Sequence, residues 1–220
     1  MKTPLIEISR LRFRFPEQHY LFRGLDFTLG YGEKIALCGE NGAGKSTLFL
    51  NILGLLPFED GVVRFLGKEC RKPNDFVFVR ANTGLLFQDP DDQLFCPSVI
   101  EDVAFGLMNQ GLSQKQAQKK SEEVLERLGI SHLAERVPYK LSGGEKRMAS
   151  LATILAMEPD ILLLDEPTTG LSERYRAVLV DALKAYDAKG MVIISHDNHF
   201  LDQMADRKVL LKNGEITDFK

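Results

Sequence analysis

The sequence has few cysteines, no surplus of basic charge and no long apolar run, and each shortage removes a class of function. The three cysteines, Cys38, Cys70 and Cys96, are odd in number and include no Cys-x-x-Cys pair. Neither a disulfide framework nor a zinc site is expected, and a reducing compartment is. Cys38 falls in the apolar run 35–38, which predicts a buried, inert thiol. Formal net charge is −3, so nothing points to nucleic acid as a partner. No stretch approaches the ~20 apolar residues of a membrane helix. Residues 1–14 alternate charged and apolar side chains and lack the apolar core of a signal peptide. A cytoplasmic protein without direct membrane insertion is expected, one that reaches the inner face of a membrane only through a partner. Internal repeats, linkers and low-complexity tracts are missing as well.

What is present suits a globular α/β domain. The chain has 220 residues, 44% hydrophobic and 27% charged, enough to bury a sizeable core. Strand patterns occur over 5–15, 24–29 and 34–38, followed by a helix over 45–56. Short apolar runs at 62–66 and 76–79 read as strands of a small β-rich section, and 84–87 as another strand. From 98 to 128 the pattern is helical. Ser98 is expected to cap one helix, with Glu101 reaching back, and Ser113 to cap the next, which Gly129 ends. Further helices are expected over 145–157 and 174–188. The runs 161–164 and 191–195 are apolar without alternation, as in parallel strands covered on both faces. A hairpin turning at Asn213-Gly214 closes the chain. Strands that alternate with helices predict a mainly parallel sheet with right-handed crossovers.

Gly39-Glu40-Asn41-Gly42-Ala43-Gly44-Lys45-Ser46 fits the pattern GxxxxGK[ST], and Thr47 follows it. It stands between a buried strand and a helix, the context in which such a loop holds phosphate. Glycines let backbone N–H groups turn inward, and the helix adds its positive end. Lys45 is then placed to neutralise β- and γ-phosphates, and Ser46 to ligate magnesium. The apolar strand ending in Asp165-Glu166 supplies the acidic counterpart. Asp165 is the expected second hold on magnesium, and Glu166 the group that polarises an attacking water. ATP with Mg2+ is the expected ligand pair.

These motifs, with Leu141-Ser142-Gly143-Gly144-Glu145, resemble the ABC-type ATPases along essentially the whole chain. The resemblance implies a P-loop NTPase: a parallel core sheet flanked by helices, an N-terminal antiparallel β subdomain, and a helical subdomain over about 89–157 that carries the signature, all in one domain over 1–220. It further implies that Gln88 is a glutamine touching magnesium and water, that His196 is a switch histidine, and that Phe15 stacks on adenine, with Tyr20 as a possible substitute. His199 has no matching position. Ser142, Gly143, Gly144 and Glu145 would bind the nucleotide of a second ATPase subunit facing this one, either an identical chain or a related one.

Two residues depart from the family pattern: Glu145 stands where Gln is usual, and Ser172 where Asp is. The first adds a negative charge near a nucleotide, and the second touches the coupling of the two composite sites. The segment 84–95, with its run Asp89-Pro90-Asp91-Asp92-Gln93, resembles the cobalt-transport and energy-coupling-factor branch. That branch implies uptake of a metal ion or vitamin with a transmembrane coupling protein. Phe95, Phe105 and Met108 are candidate docking residues, each equally suited to a core. The acidic run reads as a solvated loop near the coupling surface. An efflux transporter ATPase is the alternative, and a non-transport ABC ATPase a more distant one.

Overall fold

The structure, a computed structural model, describes residues 3–219. The chain divides into two compact units. The first runs to Thr83, takes in Asp160–Asp165 and resumes at Ala188, while the second holds Gly84–Pro159 and Glu166–Asp187. In chain order the first unit begins with β1 (Ile6–Phe13), β2 (Phe22–Leu29), β3 (Lys34–Cys38), α1 (Lys45–Ile52), β4 (Asp60–Phe65), β5 (Lys68–Cys70) and α2 (Asp75–Ala81). Strand β6 (Thr83–Leu86) leads into the second unit, built on α3 (Val99–Asn109), α4 (Gln114–Arg127) and α5 (Gly143–Ala156). Strand β7 (Ile161–Asp165) returns to the first unit and α6 (Glu173–Ala185) to the second. Then β8 (Gly190–Ile194), α7 (Asn198–Met204), β9 (Arg207–Lys212) and β10 (Glu215–Asp218) complete the first.

Two sheets make the first unit. One is antiparallel, in the order β2-β1-β4-β5. The sequence of β1 explains its shape: Ile6 and Ile8 keep one alternation, Leu11 and Phe13 the other, and all four are buried. The change of phase is a bulge against β2 between Ile8 and Leu11, where Arg10 takes φ 53° and its N–H donates to the Asp26 carboxylate. The second sheet runs β10-β9-β3-β8-β7, with β3 parallel to β8 and β9, and β7 parallel to β8. Every residue of β7 and β8 is buried, as unalternating apolar runs require. The sheets approach closely at Gly190, where a Cβ would lie 2.6 Å from Leu5 Cδ1 and 3.0 Å from Leu29 Cδ2.

The second unit is helical. Helices α3, α4 and α5 pack on one another, and their Val103, Leu107, Val124, Leu125, Leu151 and Leu155 are all buried. Each such side chain stabilises the unit by about 2 kcal/mol. Gly106 marks the tightest approach, since a Cβ there would meet Met157 Sδ at 2.4 Å.

Three expectations need correction. The run 76–79 is part of helix α2, not a strand. Phe76 and Val79 are buried while Val77 and Phe78 are exposed, a spacing of three rather than an alternation. The Asp75 carboxylate also accepts the N–H groups of Arg71 and Lys72 and so fixes the helix entry. Ser98 precedes α3 but forms no side-chain cap. The first N–H groups of α3 go instead to loop carbonyls, Val99 to Arg136 and Ile100 to Ala134. Cys38 is half-buried, not fully buried, though burial still pushes its thiol up. The capping box at Ser113 does form, with Gln116 as its partner.

Candidate functional site

The phosphate loop joins β3 to α1 in the first unit. Its backbone is one that glycine alone holds without strain: Gly39, Gly42 and Gly44 have φ of 151°, 79° and 102°. Two of them also lack room for a side chain. A Cβ on Gly39 would lie 2.5 Å from the Leu211 carbonyl oxygen, and one on Gly44 would lie 2.9 Å from both Leu21 Cδ2 and Phe22 Cε1. The ammonium of Lys45 folds back across the loop, donating to the carbonyls of Gly39 at 2.7 Å and Glu40 at 2.9 Å.

Helix α1 starts without a side-chain cap and has no acidic residue in its first turn. Its N–H groups and positive dipole end are therefore offered to an external anion rather than spent internally. Ser46 is exposed at this start. Beside the loop lies a cavity of about 670 Å³, lined in part by Tyr20, Arg23, Glu40, Asn41 and Lys212. That volume lies within the range of small-molecule sites.

Of the other expected site residues of the first unit, His196 meets the same loop. His196 follows β8, and its Nε2 lies 3.0 Å from the Asn41 amide oxygen. Asp165 is the last residue of β7 and only 4% exposed. Phe15 follows β1 and is 36% exposed, with its ring edge-to-face on Phe13 at 5.0 Å. Tyr20 is already engaged: the Arg12 and Arg14 guanidinium groups lie 4.7 and 4.9 Å from its ring centroid, and its hydroxyl donates to Glu59. His199 is exposed, and its ring contacts Gln203.

A magnesium ion would fit this set as a shared ligand rather than a protein-caged one. Among the described residues no group of three or more His, Cys, Asp or Glu side chains could hold a metal. Mg2+ ordinarily takes one or two protein oxygens and completes its shell with phosphate and water. Ser46 and Asp165 supply hard oxygen donors of that kind.

The second unit carries the remaining motifs. Glu166 is buried, and its backbone is left-handed at φ 50°, a costly conformation for a residue with a Cβ. Thr169 Oγ1 donates to its carboxylate at 3.2 Å. The motif alone gives no sign of this strain. Helix α5 starts at the signature sequence. Ser142 caps it, and Glu145 closes the box by accepting from the Ser142 N–H at 2.8 Å and its hydroxyl at 2.7 Å. These hydrogen bonds hold the Glu145 carboxyl below its ordinary range. Gly144 is buried, and a Cβ there would lie 3.0 Å from the Gly170 carbonyl oxygen. Ser172 caps α6 by accepting from the Tyr175 N–H, a role open to serine and aspartate alike.

Gln88 is exposed on the segment after β6. The acidic run beyond it is exposed at Asp89, Asp91 and Asp92, and it is braced as well. Asp89 caps a short turn over Pro90–Asp92, and Asp91 pairs with Lys146 of α5 at 2.6 Å. Next to it Phe95, Phe105 and Met108 are 66%, 42% and 41% exposed, so they are surface residues and not core. The rings of Phe95 and Phe105 meet edge-to-face at 5.0 Å.

The ABC transporter family profile matches residues 22–169, from β2 through the phosphate loop and signature to the turn after Glu166. The chain belongs to the ABC transporter family. It is an ATPase subunit of the ABC transporter type. A Brucella suis relative named only as an ABC transporter ATP-binding protein is 46% identical over 213 residues, 97% of this chain and 88% of its own. The energy-coupling factor transporter ATP-binding protein EcfA of Methanocaldococcus jannaschii is 40% identical over 215 residues, 96% of this cassette and 77% of its own length. The solved structure of cbiO1 from Clostridium perfringens, described as part of the ABC transporter complex cbiONQ, superposes with a TM-score of 0.82. That match has 32% identity and covers 98% of this chain and 87% of the other. No helix among the described residues is long and apolar enough to cross a membrane.

Proposed function

We propose that this cassette is the ATPase subunit of an energy-coupling-factor type importer, driving uptake of a metal ion or vitamin. The observation that carries the reading is the aromatic pair Phe95–Phe105, held on the surface next to the braced segment 89–93 in a chain 40% identical to an EcfA protein. Large aromatic side chains that face solvent together mark a contact surface. The partner is a transmembrane coupling protein, whose cytoplasmic part covers Phe95, Phe105 and Met108.

In this reading ATP lies on the phosphate loop, with its phosphates received by the backbone of Gly39, Glu40, Asn41, Gly42, Ala43 and Gly44 and by Lys45, Ser46 and Thr47. Phe15 stacks on adenine. Ser46, Asp165 and Gln88 would hold magnesium, which would supply neutralisation of phosphate charge. Glu166 accepts the proton of the attacking water, and His196 senses the terminal phosphate. Ser142, Gly143, Gly144 and Glu145 complete the site of a second, facing ATPase subunit, and this cassette's nucleotide is completed in the same way. Hydrolysis then separates the pair, because the closed state is favoured only while both sides hold ATP.

Purification of the tagged chain from membranes tests this. The expected result is a complex holding a membrane coupling protein and a second membrane protein that binds substrate, lost when Phe95 is changed to Glu. Recovery with an exporter permease, or with ribosomes or DNA, contradicts it.

A further inference from the structure

Gln88 stands on an exposed segment, yet its backbone is not loose. Arg147, on the second turn of α5, is 2% exposed and donates from one guanidinium nitrogen to the Phe87 carbonyl and from another to the Gln88 carbonyl. Gln93 grips the same stretch from the other side. Its side-chain oxygen accepts the Phe87 N–H at 3.3 Å, while its amide nitrogen donates to the Ser150 carbonyl at 2.9 Å and to Thr153 Oγ1 at 2.7 Å. Ser150 and Thr153 lie on α5 as well. The peptide units flanking Gln88 are thus fixed to the helix whose first residues are the signature glycines.

Burying a guanidinium is costly, and a buried charge persists where its hydrogen bonds are met. A planar fork can serve two neighbouring carbonyls at once, which an ammonium cannot do with the same fixed geometry. We infer that Arg147 is a positioning residue for Gln88: it sets where the glutamine stands by tying its main chain to the signature helix, with Gln93 as the second tie. The inference rests on the reading above that Gln88 takes part in hydrolysis. A glutamine on an exposed loop samples many positions, and catalytic placement tolerates little error, with ~1 Å enough to cost about a hundredfold.

The test is a double-mutant cycle on the complex isolated through a tag on this chain, with Mg-ATP as the probe. Turnover at saturating ATP, affinity for a fluorescent ATP analogue and melting temperature are measured for Arg147→Lys, Gln88→Ala and the pair. Turnover of Arg147→Lys is expected to fall roughly ten- to a hundredfold, with nucleotide affinity within about twofold, because the tie touches no nucleotide-binding residue. In the Gln88→Ala background the same substitution should change turnover by less than about twofold, the signature of two residues acting as one unit. Equal losses in both backgrounds, or a loss of affinity and melting temperature in step with turnover, would overturn the inference. If Gln88→Ala itself turns over normally, the catalytic reading of Gln88 fails and takes the inference with it. Should Arg147→Lys not fold, Gln93→Leu enters the same cycle with the same expected outcomes.

Discussion

The His196 imidazole and the Asn41 amide meet on the phosphate loop, 3.0 Å apart from Nε2 to Oδ1 and 155 residues apart in the chain. A histidine set at the end of a buried parallel strand is thereby placed on the loop that receives phosphate. Removing the ring leaves the loop's backbone donors in place. His196→Ala is therefore expected to lower ATP turnover at least ~tenfold, as loss of a catalytic proton donor or acceptor does, while nucleotide affinity stays within about twofold. Steady-state kinetics beside equilibrium binding of a fluorescent nucleotide checks both halves.

The loop glycines differ in what they would cost. Gly44→Ala must hold φ 102° and also press a Cβ to 2.9 Å from Leu21 and Phe22, whereas Gly42→Ala meets nothing within 4 Å and bears only the strain of φ 79°. Each strained residue costs about 1–3 kcal/mol, and the collision adds to it at Gly44. For a chain of this size each kcal/mol lowers the melting temperature by ~2–4 °C. Thermal melting should rank the variants wild type, Gly42→Ala, then Gly44→Ala. An equal fall in the two variants would show that the packing of Gly44 on β2 has no weight.

Lys45 makes the only charged side-chain contact among the loop's described hydrogen bonds, to the carbonyls of Gly39 and Glu40. Lys45→Ala should weaken ATP binding by ~3 kcal/mol or more, the scale of a lost charge contact in a closed site. Adenosine, which has no phosphates, should bind the variant nearly as before. Calorimetric titration with both ligands makes the comparison.

The signature helix carries a pH signal. Glu145 accepts two hydrogen bonds from Ser142, which lower its pKa in the folded chain. A depressed carboxyl pKa stabilises the fold above the unfolded value and loses that contribution as pH falls through the folded one. The loss therefore begins near pH ~4 and continues below it. Glu145→Gln keeps an acceptor oxygen but cannot titrate, so its melting temperature should fall less steeply below pH ~4 than that of the wild type. Glu145→Ala removes half of the capping box and should cost about 1 kcal/mol at neutral pH.

Much of this was legible in the sequence, and the parts that were not share a cause. The phosphate loop, the buried strand before Asp165, the cap at Ser113 and the closing hairpin all depend on residues within a few positions of one another. Local patterns report such features directly. The run 76–79 misled because four apolar residues fit a strand or a helix turn equally well, and only the burial of Phe76 and Val79 without Val77 and Phe78 decides. Ser98 misled because tertiary carbonyls, from Ala134 and Arg136, took the work of its cap. The fork of Arg147 on Phe87 and Gln88, and the engagement of Tyr20 by two arginines and Glu59, join distant segments and leave no trace in spacing. The left-handed backbone of Glu166 is similarly silent, since no glycine or asparagine announces it.

The central claim is that ATP bound at residues 39–47 is cleaved with Glu166 as the base, and it is tested most directly by the Glu166→Gln variant of the complex isolated through this chain. Bound nucleotide and phosphate release are measured together in Mg-ATP. The account predicts full ATP occupancy, release slowed at least ~100-fold, and a complex that keeps its two ATPase subunits closed until nucleotide is removed. Phosphate release at the wild-type rate would contradict it.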